Sequence, residues 1–384
     1  MTPHQHRREF LQRAGATFLA PLATSPLRDA PGQPTAPVGI ARCNEYGDRA
    51  VLRELESLAD RIGGLRDLVG GKTVAVKVNL VGDTRRDALG KPANRTYQVH
   101  PSVVLATAAL LDRAGARRIR FLESTHQAGP FEAFLRDAGW DLNALAAFKT
   151  PVELEDTRNL GRGKIYHDLK VPWGGSLFPA YEVNHSYVDC DVYVSLAKLK
   201  NHATAGVTLG MKNNFGITPI ALYGQHEPRE DSTHNRAMFH DGRYRPADGL
   251  PQEVDRASPR RATYRVPRHI VDAVGIRPID LVIIDGVETV SGGEGPWVPG
   301  LAVQEPRLLL MGRNPVCTDA VATAAMGYDP TAAPGTGPFP GDNHLAMAGA
   351  LGLGSNDPRR IEVVGLPLDR ARHPFGWQPR ERAT

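Results

Sequence analysis

The chain has 384 residues, with 46 Lys and Arg against 42 Asp and Glu, and a formal net charge of +4. Its 41% hydrophobic and 23% charged residues are typical of a globular protein and exclude a disordered chain. The 39 Gly and 31 Pro follow no repeating period, which excludes collagen and coiled coil and predicts many long loops. Because so small an excess of positive charge is a poor footprint for nucleic acid, no nucleic-acid partner is expected.

The first thirty residues resemble a twin-arginine export signal. Arg7 and Arg8 precede Glu9-Phe10-Leu11-Gln12, and a short apolar stretch rich in Gly and Ala follows. We therefore predict that residues 1–30 are a signal peptide and linker, recognised by the twin-arginine translocation machinery, and that the mature protein is periplasmic or otherwise exported. A basic N-terminal tail is the alternative. No later apolar run reaches the 18 residues that a membrane span needs, so no stable span is expected.

The next predicted elements form a β-loop-α-β unit, the signature of a parallel sheet. Apolar residues at helical spacing predict a helix over 51–62, and the alternating run T-V-A-V-K-V-N-L predicts a strand over 73–80. A charged loop over 81–99 leads to a helix that begins at Pro101 and ends before Gly115, and a strand follows over 118–123.

The remaining pattern predicts one α/β domain in two parts, residues 31–222 and 265–370, with a C-terminal tail over 371–384. Further strands are expected over 191–195, 281–285, 307–311 and 360–364, and further helices over 131–138, 315–326 and 343–350. Residues 223–264 lack periodicity and predict a loop insertion, either a lid or a surface loop. The fold class is therefore α/β, with a mainly parallel or mixed sheet flanked by helices and a long irregular insertion.

Polar side chains are concentrated where four of the predicted strands end. Ligands of open α/β sheets bind beyond the carboxyl ends of the strands, so these side chains are expected to share a site. The densest stretch, residues 195–216, combines lysines, a histidine and three glycines. Such a loop can hold a carboxylate or phosphate, and a crowded lysine can act as a base or nucleophile. The alternative is an exposed basic loop.

A second stretch, I-D-G-V-E-T-V-S-G-G-E-G-P-W over residues 284–297, is rich in glycine and acidic residues. Its acids are candidates for binding a cation or moving a proton, and a glycine-rich loop with incidental acids is the alternative. His344 is either a ligand or a helix cap. Arg268 is either an anion clamp or part of a surface helix start. Histidines 226, 234 and 240 fit no standard metal spacing, so we interpret their segment as an exposed polar loop.

These patterns give three sets of candidate residues. The candidate catalytic residues are Lys200, His202, Lys212 and Glu294. The candidate substrate-binding residues are Lys77, Asn79, Lys198, Asn213, Asn214 and Arg268. The candidate ligands of a divalent metal, which the sequence leaves open, are Asp285, Glu294 and His344. Three cysteines without a C-x-x-C motif predict no iron–sulfur cluster, and leave open either one disulfide or, preferably, free thiols at Cys43, Cys190 and Cys317.

Several short motifs, taken in order, resemble the bacterial family known as domain of unknown function 362. They are K-V-N-L at 77–80, H-P-S-V-V at 100–104, the run from D-V-Y-V-S to K-N-N-F-G at 191–216, I-D-G at 284–286 and N-P-V-C-T-D-A-V-A at 314–322. The resemblance covers about residues 70–365 and implies an α/β fold with a shared polar site, but no reaction. With the N-terminal signal, it suggests an exported subgroup. A looser analogy, at the level of fold only, is to the lactate racemase group.

The favoured function is an exported enzyme that acts on a small anionic substrate, a carboxylate or phosphate, with the reaction unassigned. The alternative is a non-catalytic periplasmic binding protein for an anion, metal or cofactor, which needs the same cationic loop but no group for proton transfer. A structural or nucleic-acid-binding role is disfavoured because removing residues 1–30 lowers the net charge to +2.

Overall fold

The computed structural model describes residues 33–224, 229–232 and 235–377. Within these ranges the chain forms an eight-stranded mixed sheet with helices on both faces, which confirms the predicted α/β class. The predicted export signal, His226, His234 and the last residues of the predicted tail lie outside the described residues.

The sheet has the order β14-β1-β13-β10-β7-β2-β3-β4. The five strands from β10 to β4 in this order run parallel, whereas β13 is antiparallel to both of its neighbours and β14 pairs in parallel with β1. Its strands are β1 (Val38–Arg42), β2 (Thr73–Val78), β3 (Arg118–Glu123), β4 (Val152–Asp156), β7 (Val192–Lys198), β10 (Leu281–Gly286), β13 (Leu308–Gly312) and β14 (Val363–Gly365).

Three two-stranded antiparallel ribbons lie outside this sheet. They are formed by β5 (Tyr166–Lys170) with β6 (Ala180–Asn184), β8 (Asn201–His202) with β9 (Gly206–Val207), and β11 (Thr289–Ser291) with β12 (Ala302–Gln304).

Two hydrophobic cores, one on each face of the sheet, hold the helices in place. Helices α1 and α3 pack on one face, and α8, α9 and α10 pack on the other. The α-helices are α1 (Asp48–Arg61), α2 (Arg66–Val69), α3 (Pro101–Arg113), α4 (Phe131–Asp137), α5 (Leu142–Ala146), α6 (Gly210–Asn213), α7 (Ile220–Tyr223), α8 (Ala262–Ile276), α9 (Pro315–Ala325), α10 (His344–Ala350) and α11 (Leu368–Ala371).

The central strands are buried on both faces, as the apolar run of β2 requires. Val74 and Val76 of β2 belong to the core under α1 and α3, whereas Ala75 belongs to the core on the α8 side. Because side chains alternate along a strand, Lys77 lies on the same side as Ala75. The sequence therefore directs this lysine toward the α8 face at the carboxyl end of β2.

The segment between α7 and α8, predicted as a lid or surface loop, is anchored in the interior. Its short 3-10 helix, Ala237–Phe239, is buried, and Phe239 is fully inaccessible to solvent. Helix α8 then begins at Ala262, within the segment that the sequence assigned to a loop. The surface helix start that the sequence offered as an alternative at Arg268 therefore does belong to a helix, but this helix begins earlier, contains Pro267 and buries Arg265 completely.

Two further observations concern expectations from the sequence. In the described ranges, no helix is long and apolar enough to cross a membrane. The cysteines Cys43, Cys190 and Cys317 are all free thiols, and the first and last of them are buried.

Candidate functional site

A cavity of about 450 Å³ lies beyond the carboxyl ends of β2 and β3. Its walls come from the ends of these strands, from the loop and helix that follow β7, from the segment before α8, and from the glycine-rich loop after β10. The polar residues that line it are Lys77, Asn79, Glu123, Ser124, His126, His202, Thr204, Lys212, Asn213, Asn235, Arg236, His240 and Glu294. Chain segments far apart in sequence thus meet at one strand-end cavity.

The floor of the cavity contains a buried ion pair between β2 and β3. Lys77 donates from Nζ to Glu123 Oε1 and, at 2.8 Å, to the Val78 carbonyl. The Glu123 carboxylate also accepts the backbone N–H groups of Leu80 and Ser124, each at 2.6 Å. Burial lowers the pKa of Lys77, although Glu123 opposes this shift. The carboxylate therefore neutralises Lys77 and has its oxygen atoms occupied.

Two asparagines connect this pair to helix α6. Asn213 donates from Nδ2 to the carbonyl of Lys77 at 2.9 Å and to the Ser195 hydroxyl at 3.1 Å, so its Oδ1 must be the acceptor for Asn79 Nδ2 at 3.3 Å. This orientation leaves Asn79 Oδ1 without a partner in the described part of the chain. Asn79 thus lines the cavity while its Oδ1 is a buried acceptor without a partner among the described residues.

Helix α6 is held in place by a buried carboxylate and begins after a strained residue. Asp319 accepts the backbone N–H groups of Gly210 at 2.9 Å and Met211 at 2.7 Å. Burial raises the pKa of Asp319 to about 7, even though these hydrogen bonds oppose the shift. Leu209 has φ 98° and ψ −165°, a region that only glycine adopts readily. Lys212 lies three residues after Leu209, directly beyond this strained turn.

Lys212 lies on the cavity wall without a counterion. Its Nζ is 4.0 Å from the centroid of the Phe215 ring, a cation–π contact, and in the described ranges it forms no ion pair or hydrogen bond. Burial lowers its pKa to about 7, assisted by Arg236 and Lys77 and opposed by Glu294. Near neutral pH, the amine is therefore divided between its charged and neutral forms.

His202 is neutral and its tautomer is determined by backbone contacts. Its Nδ1 accepts the N–H groups of Thr204 at 3.2 Å and Ala205 at 3.3 Å, so the proton resides on Nε2. Burial lowers its pKa to about 3. The 3.9 Å approach of His202 Nδ1 to Glu294 is consequently not an ion pair at neutral pH. His202 instead offers an N–H donor to the cavity.

Glu294 is ionised and is satisfied by neutral donors. It accepts the Ala203 N–H at 2.8 Å and the Trp297 indole N–H at 3.1 Å. Burial opposes ionisation, but the interaction with His202 and these hydrogen bonds outweigh it and lower the pKa of Glu294 to about 2. Since His202 is uncharged at neutral pH, the hydrogen bonds are the interactions that remain there to stabilise the carboxylate.

The segment before α8 supplies two residues that the sequence assigned to an exposed loop. Arg236 is 3% exposed, and its guanidinium donates to the Thr218 carbonyl at 2.5 Å, the Ser124 hydroxyl at 2.7 Å and the Gly216 carbonyl at 2.9 Å. All of these acceptors are neutral. Burial lowers its pKa to about 10, so it remains charged at neutral pH. Arg236 is thus a second cation without a carboxylate partner in the described ranges.

His240 complements His202. Its Nδ1 lies 3.0 Å from the Arg236 carbonyl, and because a carbonyl only accepts, Nδ1 carries the proton and Nε2 keeps its lone pair. Burial lowers the pKa of His240. The cavity therefore contains one neutral imidazole that donates and another that accepts.

Six residues predicted from the sequence line this cavity, and six do not. Those that line it are Lys77, Asn79, His202, Lys212, Asn213 and Glu294, and those that do not are Lys198, Lys200, Asn214, Arg268, Asp285 and His344. The first group comes from strand ends and from two loops that the sheet order brings together. The residues of the second group lie outside the cavity lining, and most of them bond to other groups, as described next.

Lys198 and Asp285 form a fully buried pair, with Nζ 2.9 Å from Oδ2. They lie in register on the neighbouring parallel strands β7 and β10, which places them side by side. The Tyr46 hydroxyl donates to Asp285 at 2.8 Å and lies 3.0 Å from Lys198 Nζ, and His100 stacks on the Tyr46 ring with centroids 3.7 Å apart. This network connects the sheet with the loop before α3.

The other four are also engaged or enclosed. Lys200 donates to the carbonyls of Tyr97 and Glu294. It thus connects the loop before α3 with the glycine-rich loop after β10 without lining the cavity itself. Asn214 bonds to Tyr193 and Ala273, and Arg268 pairs with Asp342. The buried His344 makes an edge contact with Phe339, and its ring nitrogens have no hydrogen-bond partner among the described residues. Burial lowers the pKa of His344 to about 3.

The three candidate metal ligands do not meet. Among the residues that the structure describes, no group of three or more His, Cys, Asp or Glu side chains is arranged to hold a metal ion. Asp285 is bound to Lys198 and Tyr46, and Glu294 is bound to backbone and indole N–H groups. The two cavity carboxylates, Glu123 and Glu294, already have donors of their own, whereas Lys212 and Arg236 have no carboxylate partner in the described ranges. This donor set favours an anion over a cation.

The fold and cavity define an α/β protein with a cationic site at the carboxyl ends of its strands. The model of the family described as "Domain of unknown function (DUF362)" matches residues 74–324, more than half of the chain, and the chain belongs to this family. This confirms the family resemblance of the motifs. All cavity residues fall within the matched range.

Individual relatives are more distant. A thylakoid-associated protein of Synechocystis is 28% identical over 184 residues, which are 47% of this chain and 50% of that protein, so the chain spans about half the length of this curated relative. A solved Thermotoga maritima protein has a TM-score of 0.36 and 14% identity over 69% of this chain and 56% of its own. A lactate racemase apoprotein from Thermoanaerobacterium thermosaccharolyticum has a TM-score of 0.35 and 15% identity over 72% and 56%. At these scores neither structure assigns a function.

Proposed function

We propose that this protein is an enzyme that binds a small carboxylate or phosphate anion in the strand-end cavity. One observation carries the proposal: Lys212 and Arg236 line the same cavity, and neither has a carboxylate partner in the described ranges. A charge that is removed from water without a counterion is costly, and an anionic ligand offsets that cost. The carboxylates of the cavity, Glu123 and Glu294, are already satisfied by their own donors.

An enzyme is favoured over a passive binding protein because the cavity contains groups that can move a proton near neutral pH. The pKa of Lys212 is about 7, and His240 keeps a free lone pair on Nε2. His202 Nε2–H can donate to an oxygen atom on which charge develops. In this proposal Arg236 binds the anion, Lys212 accepts or donates the proton, and His202 stabilises the oxygen.

The proposal is tested by calorimetric titration with phosphate, sulfate, acetate and propionate at low ionic strength. We expect at least one of these anions to bind to the wild type, and Arg236→Met to weaken binding by roughly tenfold or more, as loss of a charge-assisted hydrogen bond does. The matched control is Arg268→Gln, since Arg268 is paired with Asp342 outside the cavity. Equal binding by wild type and Arg236→Met would refute the assignment, and binding without turnover of any such anion would favour the non-catalytic alternative.

We also propose that the protein is exported by the twin-arginine route. Support comes from Arg7-Arg8 and the residues that follow them in the sequence. In a bacterial host, the Arg7→Lys, Arg8→Lys double variant should stay in the cytoplasm while the wild type appears shortened in the periplasm. An unprocessed wild type that remains in the cytoplasm would contradict this.

A further inference from the structure

Lys212 differs from the other lysines of the strand-end loops because its amine is not engaged. Lys77 and Lys198 each form an ion pair with a buried carboxylate, and Lys200 donates to two backbone carbonyls. In the part of the chain that the structure describes, Lys212 Nζ forms no ion pair or hydrogen bond and lies over the Phe215 ring, 4.0 Å from its centroid. When the amine loses its proton, the contact with the aromatic face is weakened but no hydrogen bond is lost. A carboxylate partner would instead stabilise the charged amine and keep it protonated.

The amine is also available in its nucleophilic form. Only a neutral amine has the lone pair needed to attack carbon, and burial holds the pKa of Lys212 at about 7 instead of 10.5. A substantial fraction of the side chain is therefore neutral at pH 7 while it still lines an open cavity.

The two imidazoles of the cavity match the needs of a carbonyl addition. His202 Nε2–H can donate to the carbonyl oxygen and so increase the positive character of the carbonyl carbon. His240 Nε2 can accept the proton that the attacking nitrogen must lose.

We propose that Lys212 captures the carbonyl carbon of a 2-oxo acid as a protonated imine, while Arg236 binds the neighbouring carboxylate. The inference rests on the proposed function for anion binding and adds a covalent step and a substrate class. A 2-oxo acid is the simplest ligand that presents a carboxylate and an electrophilic carbon side by side.

The step balances without an oxidant or reductant. The amine lone pair forms the C–N bond, and the π pair of the carbonyl moves to oxygen. A proton passes from nitrogen through His240 to that oxygen and gives a carbinolamine. A second proton, taken from solvent, lets the oxygen leave as water, and the nitrogen lone pair closes the C=N bond. One amine, one carbonyl and one proton thus become one protonated imine and one water.

The test is reductive trapping of the purified full chain with pyruvate and cyanoborohydride at pH 7, followed by intact-mass and peptide mass spectrometry. We expect one reduced pyruvyl group per chain, located on Lys212. Propionate, which has the carboxylate without the carbonyl, should give no adduct and should compete with pyruvate. Lys212→Arg, which keeps the charge but not the nucleophile, should lose the adduct, and Lys170→Arg on the exposed face of β5 should retain it.

The failures of the two proposals are distinguishable. If propionate or pyruvate binds by calorimetry but trapping leaves Lys212 unmodified, the imine is refuted and anion binding stands. An adduct on a different lysine also refutes the imine at this site. If no anion binds and no adduct forms, both proposals are wrong. Because the position of the adduct is read in the wild type, this result does not depend on the folding of a variant.

Discussion

The lowered pKa of Lys212 can be tested through protein stability, without knowledge of the ligand. In the native state this pKa is about 7, against 10.5 for an ordinary lysine. Between these values the unfolded chain binds a proton that the native chain has released, so wild-type stability should rise with pH from about 7 to 10.5. Below pH 7 both states are charged and the full cost of the buried charge is present.

Replacing the lysine by methionine removes this titration. A shift from 10.5 to about 7 corresponds to about 5 kcal/mol at 1.36 kcal/mol per pH unit. The substitution also changes packing, but that contribution does not depend on pH. The free energy of unfolding of Lys212→Met minus that of the wild type should therefore be up to about 5 kcal/mol larger at pH 6 than at pH 10.5. A difference in free energy of unfolding that becomes smaller as pH rises is the result that identifies a buried Lys212 with a lowered pKa.

Urea denaturation of both proteins from pH 6 to pH 10.5, followed by circular dichroism, measures this difference. Lys170→Met, at an exposed position on β5, controls for the loss of one positive charge. If the stabilities of wild type and Lys212→Met run parallel over the whole range, Lys212 is not held in a desolvated site. The proposed roles of Lys212 in proton transfer and in imine formation, which need a neutral amine, would then be refuted.

Three further changes probe the surroundings of the cavity by the same denaturation assay. As pH rises from about 4 to 7, native Asp319 keeps its proton while the unfolded chain loses it, so the wild type should lose up to about 4 kcal/mol of stability. Asp319→Asn should remove this loss, and equal dependence of stability on pH in the two proteins would contradict the raised pKa. Lys198→Met should cost about 3–5 kcal/mol by leaving Asp285 buried and unpaired, and the double variant with Asp285→Asn should cost clearly less than the sum of the single changes. Gly206 has φ +82°, and a Cβ atom there would lie 2.6 Å from the Pro338 carbonyl oxygen, whereas Gly352 has φ +74° and open space around it. Gly206→Ala should therefore lose about 1–3 kcal/mol more stability than Gly352→Ala, and equal losses would exclude a steric clash at Gly206.

Much of the sheet follows from local pattern. The strand predicted over 118–123 is β3 without any change of bounds, and those predicted over 73–80 and 281–285 differ from β2 and β10 by one or two residues at an end. Strands β2 and β10 are mainly apolar runs bounded by turn residues, and β3 begins with alternating charged and apolar residues. Both patterns are ones that sequence interprets well. Strand β1 and the β5–β6 hairpin were missed, and helix α8 was predicted only as a surface helix start, one of the two alternatives for Arg268. In α8 an internal proline and a buried arginine interrupt the apolar periodicity, and only tertiary packing compensates for them.

The lining of the cavity was predicted in part for a similar reason. Lys77, Asn79 and Lys212 were predicted as site residues because they lie at or beyond the carboxyl ends of strands, where ligands of α/β sheets bind. Arg236 and His240 carry no such signal, since their segment has neither a strand before it nor a regular period. The pattern Met238-Phe239 between them, two large apolar residues in a polar stretch, is the one sequence feature that indicates an anchored segment.

The sequence by itself determined that this is an α/β protein of the DUF362 family with lysines and histidines concentrated beyond its strands. Only the tertiary structure decided which of those lysines has a carboxylate beside it. The strand order sets Lys77 beside Glu123 and Lys198 beside Asp285, and leaves Lys212 facing an aromatic ring. The physical reason is that a lysine's charge, pKa and reactivity depend on its neighbours in space, and strand pairing, which is long-range, selects those neighbours.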